Sequence, residues 1–248
     1  MNGSIVIQQP AQQAQQLFLL YHGVGSTPHG LVSLGAQIAN SFPHSLVVSV
    51  QAAHACDLGQ GYQWFSVRDI TEENRAARVA QAMPAFIESI QYWQNVAQLP
   101  ATSTAVIGFS QGAIMALCAT QLQQLHAARI MSIAGRFAST PEALHPAATA
   151  HFIHGKTDSV IHYGHTVQAA QRLIALGSDV TADVLPMVGH EINQEIEALV
   201  LKRLQTYLPK RLWDAVQREA AQQEAAQQEA AQQNAVQQDS AVPTKLSF

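Results

Sequence analysis

Cysteine is scarce: Cys56 and Cys118 are the two in 248 residues. That leaves no disulfide framework and no CxxC or Cys/His zinc spacing. Cys118 lies in an apolar segment and is read as a small buried hydrophobe. Charge is thin as well, at 12% of residues with a formal net of -4. A nucleic-acid footprint needs clustered Lys and Arg, and the sequence has no such cluster. No run of about 18 apolar residues occurs, so no stable membrane insertion is expected. The opening MNGSIVIQQP has no basic segment followed by an apolar one, and no secretory leader is read there. The expectation is a soluble cytoplasmic protein.

What the chain does have is apolar residues, 48% of the total. At this length they suffice for one substantial core. SIVIQQ, LFLLYHG (17–23), LVVSV (46–50), TAVIGF (104–109), ARIMSIAG (128–135), AHFIHG (150–155) and VTADVLP (180–186) read as strands. Helical spacing appears in GLVSLGAQIANSF, in TEENRAARVAQAMPAFIESIQYWQNV, in GAIMALCATQLQQL, in HTVQAAQRLIALG and in INQEIEALVLKRLQTYL. Pro84 is expected to kink the longest of these or divide it in two. Thr71 with Asn74 partly fits a capping box. Strands without alternation, interleaved with helices, predict a mostly parallel sheet covered on both faces.

The end of the chain differs. EAAQQ EAAQQ EAAQQ NAVQQ (219–238) repeats every five residues. These residues favour helix, yet a five-residue step turns about 140° at about 3.6 residues per turn. No apolar stripe can form, and a coiled coil would need one. The expected organisation is an α/β domain over 1–214 and a solvated tail over 215–248, helical or disordered.

Ser110 sits in Gly-Phe-Ser-Gln-Gly, between a buried strand and an apolar helix. This fits the nucleophile elbow, in which small neighbours let a sharp turn close and expose the hydroxyl. A serine needs a base to take its proton. In that fold the order is serine, acid, histidine. His190, in LPMVGHEI after a strand, is the expected base. His126, His145, His151, His154, His162 and His165 are the other downstream histidines, and His154 is read as structural. His162 and His165 have H-x-x-H spacing but no third ligand, so no metal is expected. Asp158, just past a strand end, is the expected acid, with Asp179 and Asp183 as rivals. Acyl transfer also needs donors for the developing oxyanion. The Gln111 N–H follows the nucleophile, and YHGVGSTPHG (21–30) supplies a second loop, with Val24 N–H the candidate.

LLYHGVGS, GFSQGAIMAL, FIHGKTDSVI and VGHEI together resemble the phospholipase/carboxylesterase branch of the α/β-hydrolases. That branch includes bacterial carboxylesterases and the acyl-protein thioesterases. The resemblance spans residues 4 to 214 and implies an α/β-hydrolase fold. It also implies a triad of Ser110, Asp158 and His190, an oxyanion hole from Val24 and Gln111 N–H, and no cofactor. Trp64 and Phe65 match a family segment near the active site, and they read either as acyl-pocket lining or as core packing. Ser26 stands where many relatives carry aspartate, which leaves that loop's hydrogen bonding open. No long apolar insertion offers a lid, so the expected substrate is a short- or medium-chain ester or thioester. The rival readings are an acyl-protein thioesterase or lysophospholipase, and a non-catalytic binding protein on the same fold. The oligomeric state is not legible.

Overall fold

The apolar runs assemble into one seven-stranded sheet. The structure is a computed structural model that describes residues 3–240, with side chains through Ala231. In chain order the strands are β1 (Ile5–Gln8), β2 (Gln16–Tyr21), β3 (Ser45–Val50), β4 (His54–Ala55), β5 (Tyr62–Gln63), β6 (Thr104–Phe109), β7 (Arg129–Ile133), β8 (Thr149–Gly155) and β9 (Asp179–Leu185). The sheet order is β1-β3-β2-β6-β7-β8-β9, and β4 and β5 pair with each other as a small ribbon. Among the described strands of the seven-stranded sheet, β1 alone runs antiparallel to its neighbour. Every residue of β3 and of β8 is buried. This is what a parallel sheet covered on both faces demands, and why these strands lack a polar face.

Five helices supply the cover. α1 (Val32–Ser41) and α5 (Gln194–Thr206) pack on one face, against Phe18, Leu20 and Ile153. α2 (Glu72–Ala97), α3 (Gln111–Ala119) and α4 (Gly164–Ala175) pack on the other, against Leu19, Val106 and Phe152. Odd and even positions of each strand thus feed two separate cores.

One of the two alternatives expected at Pro84, and the expected end of another helix, need correction. α2 is one continuous helix, and Pro84 does not divide it. Pro84 is exposed, and so is Ala80, whose carbonyl loses its partner. On the solvent face water can take that carbonyl, so the ring is accommodated. α3 stops at Ala119, not at Leu125 as its helical spacing predicts. Thr120 Oγ1 turns back to donate to Leu117 O at 2.6 Å. Such local bonds compete with helix continuation.

The chain separates into two compact units, Met1–Tyr207 and Leu208–Phe248. The second unit contains α6 (Lys210–Ser240), which carries the five-residue repeat. Its side chains from Val216 to Ala231 are all exposed, as the missing apolar stripe requires. Residues 241–248, the end of the expected tail, lie outside the described residues.

Candidate active site

Parallel strands place all their carboxyl ends on one edge, and loops leaving that edge converge. Four loops matter here. They follow β2, β6, β8 and β9, and carry Val24, Ser110, Asp158 and His190 respectively.

Ser110 joins β6 to α3 with φ +53 and ψ -114, a strained conformation for a residue with a Cβ. Its own N–H donates to Ile133 O at 2.9 Å, and its carbonyl accepts from Ile114 N–H at 3.0 Å. These bonds hold the turn. The flanking glycines are there because nothing larger fits. A Cβ on Gly112 would lie 2.1 Å from Tyr21 O, and one on Gly108 would lie 2.5 Å from Ala113 Cα. The elbow is therefore wedged against the end of β2.

His190 arrives on the loop after β9. That loop rests on the end of β8 so closely that a Cβ on Gly155 would meet Val188 O at 2.2 Å. Thr157 N–H and Oγ1 both donate to the same Val188 O, at 3.0 and 2.7 Å. The loops carrying Asp158 and His190 are thus fastened to each other. His190 Nδ1 lies 2.7 Å from Asp158 Oδ2, and Nε2 lies 2.9 Å from Ser110 Oγ. A carboxylate only accepts, so Nδ1 carries the hydrogen and Nε2 is free to accept from the serine hydroxyl. Phe109 backs the imidazole, ring centroids 5.1 Å apart.

Asp158 is buried, which alone would raise its carboxyl above the usual range. The bond from His190 and the Ile161 and Val160 amides, each 2.8 Å from Oδ1, outweigh burial and hold it low. It is an anion that accepts two backbone N–H groups on Oδ1 and the His190 ring on Oδ2. Asp179 and Asp183 are committed elsewhere. Asp183 pairs with Arg203, and Asp179 accepts from Tyr207 and Thr149.

Val24 precedes the serine and Gln111 follows it in sequence, and the loop before Val24 rests on the elbow, where a Cβ on Gly23 would lie 3.1 Å from Ser110 Cβ. Gln111 is the first residue of α3, where a helical N–H has no intrahelical partner. Val24 N–H meets no acceptor among the described residues. Its direction is nevertheless fixed. Among the described residues every peptide bond is trans, so Gly23 C=O and Val24 N–H point in opposite directions. Gly23 O accepts from His22 Nδ1–H at 2.8 Å and from Ser26 N–H at 3.3 Å. His22 Nε2 in turn accepts from Ala52 N–H at 3.2 Å, which fixes the tautomer. The Ser26 position is stitched by backbone: Tyr62 N–H donates to Ser26 O at 2.8 Å, and Gly25 N–H to Tyr62 O at 3.0 Å.

Trp64 and Phe65 are both buried in the core between the sheet and α2 and α3. Trp64 meets Phe86 edge-on at 5.0 Å and Tyr21 at 5.8 Å. Two contributors escaped sequence reasoning. The Gln111 side chain accepts from Trp64 N–H at 2.7 Å and donates to Phe65 O at 2.8 Å. It bolts this irregular segment to the elbow. His154, read from sequence as structural, touches Asp158 itself, with Nε2 3.2 Å from Oδ2. The H-x-x-x-D spacing from His154 to Asp158 was the available signal. His162 lies nearby in sequence but accepts from Gly164 N–H at 3.1 Å. Among the described residues no group of three His, Cys, Asp or Glu is placed to hold a metal ion.

Residues 2–208 match a family model described as Phospholipase/Carboxylesterase. Esterase YpfH of Escherichia coli (strain K12) is 45% identical over 209 residues, covering 84% of this chain and 90% of that protein. The crystal structure of esterase PE8 superposes with a TM-score of 0.71 at 27% identity, over 81% of this chain and 97% of that one. The Bacillus cereus carboxylesterase gives a TM-score of 0.67 at 15% identity, over 80% and 91% of the two chains, a likeness of fold alone.

Proposed function

The chain belongs to the phospholipase/carboxylesterase family, and from that premise we infer that it is a serine carboxylesterase working through an acyl-enzyme. It is a hydrolase of the α/β class, as its esterase relatives are. The finer reading is carried by one observation, the hydrogen-bonded line from Ser110 Oγ through His190 to Asp158, 2.9 and 2.7 Å per step.

In the proposed cycle His190 Nε2 takes the hydroxyl proton as Ser110 Oγ attacks the ester carbonyl. Asp158 holds the imidazole in the tautomer that can accept, and stabilises the imidazolium that forms. Val24 and Gln111 N–H receive the oxyanion. His190 then returns the proton to the departing alkoxide, which leaves as the alcohol. Water, deprotonated by the same Nε2, cleaves the acyl-serine to the free acid. The serine regains its proton, and the cycle closes with one water consumed for each ester cleaved. Trp64 and Phe65 back the wall behind the elbow in this reading, held there by Gln111.

The proposed substrate is a small-molecule ester or thioester of short to medium acyl chain. Support comes from the longest strand-to-helix connection on this edge, residues 51–71, which carries only the β4–β5 ribbon. That connection is tied to α3 by Gln111, a poor arrangement for a mobile lid.

The test is hydrolysis of a p-nitrophenyl ester series by the native chain and by Ser110→Ala. The variant should lose at least about 10³-fold in kcat and all labelling by a fluorophosphonate probe. Full activity in a folded Ser110→Ala protein would overturn the assignment. Rates that climb steadily through long acyl chains, or a preference for a palmitoyl thioester, would replace the carboxylesterase reading by a lysophospholipase or thioesterase one.

A further inference from the structure

His154 is fully buried at the end of β8, four residues before Asp158. It shares a face of the sheet with Ala150 and Phe152, against α4. Its two ring nitrogens have three neighbours. Nδ1 lies 2.8 Å from Thr166 Oγ1 on α4. Nε2 lies 2.8 Å from Ile161 O and 3.2 Å from Asp158 Oδ2. These neighbours decide the tautomer. A carbonyl and a carboxylate both accept, so the hydrogen belongs on Nε2. Nδ1 is then bare and takes the Thr166 hydroxyl hydrogen. The opposite tautomer would aim a lone pair at two oxygens.

Oδ2 is also the oxygen that accepts from His190 Nδ1–H at 2.7 Å. One carboxylate oxygen therefore serves two imidazoles, one poised against Ser110 and one sealed in the core. Each donor to an oxygen lowers the negative charge it offers to the others.

We propose that His154 is a positioning residue for His190: its Nε2–H draws charge from Asp158 Oδ2 and so weakens the carboxylate's hold on a protonated His190. His190 then gives up its proton more readily and stands ready to accept the serine's. The inference rests on the reading of Ser110, Asp158 and His190 as the reacting line.

The charge environment is simple enough to make the sign definite. Facing Asp158 are His154 from β8, His190 from the loop after β9, and the two neutral amides of its own loop. Facing His154 are Asp158 and, beyond it, His190, while α4 presents only the Thr166 hydroxyl. Burial pushes the His154 imidazole down, against the pull of Ile161 O and Asp158. It acts as a neutral donor and not as a second cation.

Histidine-selective nitrogen NMR on the full chain carrying Ser110→Ala tests this without any hydrolysis. The His154 ring should report hydrogen on Nε2 and none on Nδ1, a measurement that needs no change at His154. Hydrogen on Nδ1 overturns the proposal. His154→Leu removes the donor, and the midpoint of the His190 ring titration should then rise by about half a unit to one unit. His154→Gln keeps an N–H within reach and should shift it less. A midpoint that stays put or falls in folded His154→Leu protein overturns the proposal, because lost packing alone has no reason to raise it. Should His154→Leu not fold, the tautomer and His154→Gln readings decide. The shift in the Ser110→Ala chain, together with a native chain that takes no fluorophosphonate, would sink the esterase reading and leave this coupling standing.

Discussion

Gln111 does two jobs that lie on different parts of one residue. Its backbone N–H begins α3 beside the serine, and its side chain holds Trp64 N–H and Phe65 O. The motif makes the first job legible, because the residue after an elbow serine always opens the helix. The second was not legible, since its partners lie 46 and 47 residues upstream in a segment without periodicity. Gln111→Ala keeps the N–H and strips both side-chain bonds, leaving two buried backbone groups unpaired. Each such group costs about 1–3 kcal/mol, so a loss of about 2–6 kcal/mol is expected in urea unfolding. His22 shows the same indirection. Its ring pins Gly23 O and thereby aims the Val24 N–H. His22→Leu should lower kcat about 10- to 100-fold, less than deleting a donor outright, with KM little changed. Unchanged kcat in steady-state assays would mean that Ser26 N–H alone holds the peptide.

At the scale of elements, the strands were the most legible part. β2, β3, β6 and β8 are apolar runs because both faces of a central parallel strand are covered, so their sequences announce themselves. Helix ends were harder, because side chains settle them locally. Thr71 and Asn74 form a complete reciprocal capping box, with Asn74 Oδ1 accepting from Thr71 N–H at 2.9 Å and Thr71 Oγ1 from Asn74 N–H at 3.3 Å. Asparagine is shorter than the usual Glu or Gln partner, which is why the pattern fits only in part from sequence. Pro84 is the reverse case, a strong helix-breaking signal overridden by place. The tertiary contacts of Met83, Phe86 and Ile90 hold α2 together across it, while the ring faces solvent. The helix still lacks one hydrogen bond there. Pro84→Ala should therefore stabilise the protein by roughly 1–3 kcal/mol, seen as a higher urea midpoint at unchanged slope. A lower midpoint would show that the surrounding packing has come to depend on the ring.

For the whole molecule, the order of strands along the chain predicts a parallel sheet, and the parallel sheet brings Ser110, Asp158 and His190 to one edge. The antiparallel β1 on the outside and the buried polar layer at the far end of β7 to β9 were not legible, because long-range pairing decides them. That layer makes a molecular-scale claim about acid. His151 sits in it, fully buried, with Nδ1 2.8 Å from Thr181 Oγ1 and its ring edge-on to Tyr207 at 4.9 Å. Burial, reinforced by the Arg129 and Arg203 charges and opposed by Asp179, pushes its pKa from 6.5 down to about 3. A folded value below the unfolded one means that, between them, the unfolded chain binds a proton the folded chain refuses. Stability from this group is complete above the unfolded value and falls as pH drops through the window from 6.5 toward 3. The slope is on the order of 1.4 kcal/mol per pH unit for one proton. His22, His126, His154 and His165 are displaced in the same direction, chiefly by burial, and add to it. His151→Gln removes one titrating group while keeping a side chain that can meet Thr181. Urea unfolding at a series of pH values from 4 to 6 should give a slope shallower by about one proton than the native chain's. Parallel slopes for the two proteins would mean that His151 accepts its proton without unfolding, and that the polar layer admits water.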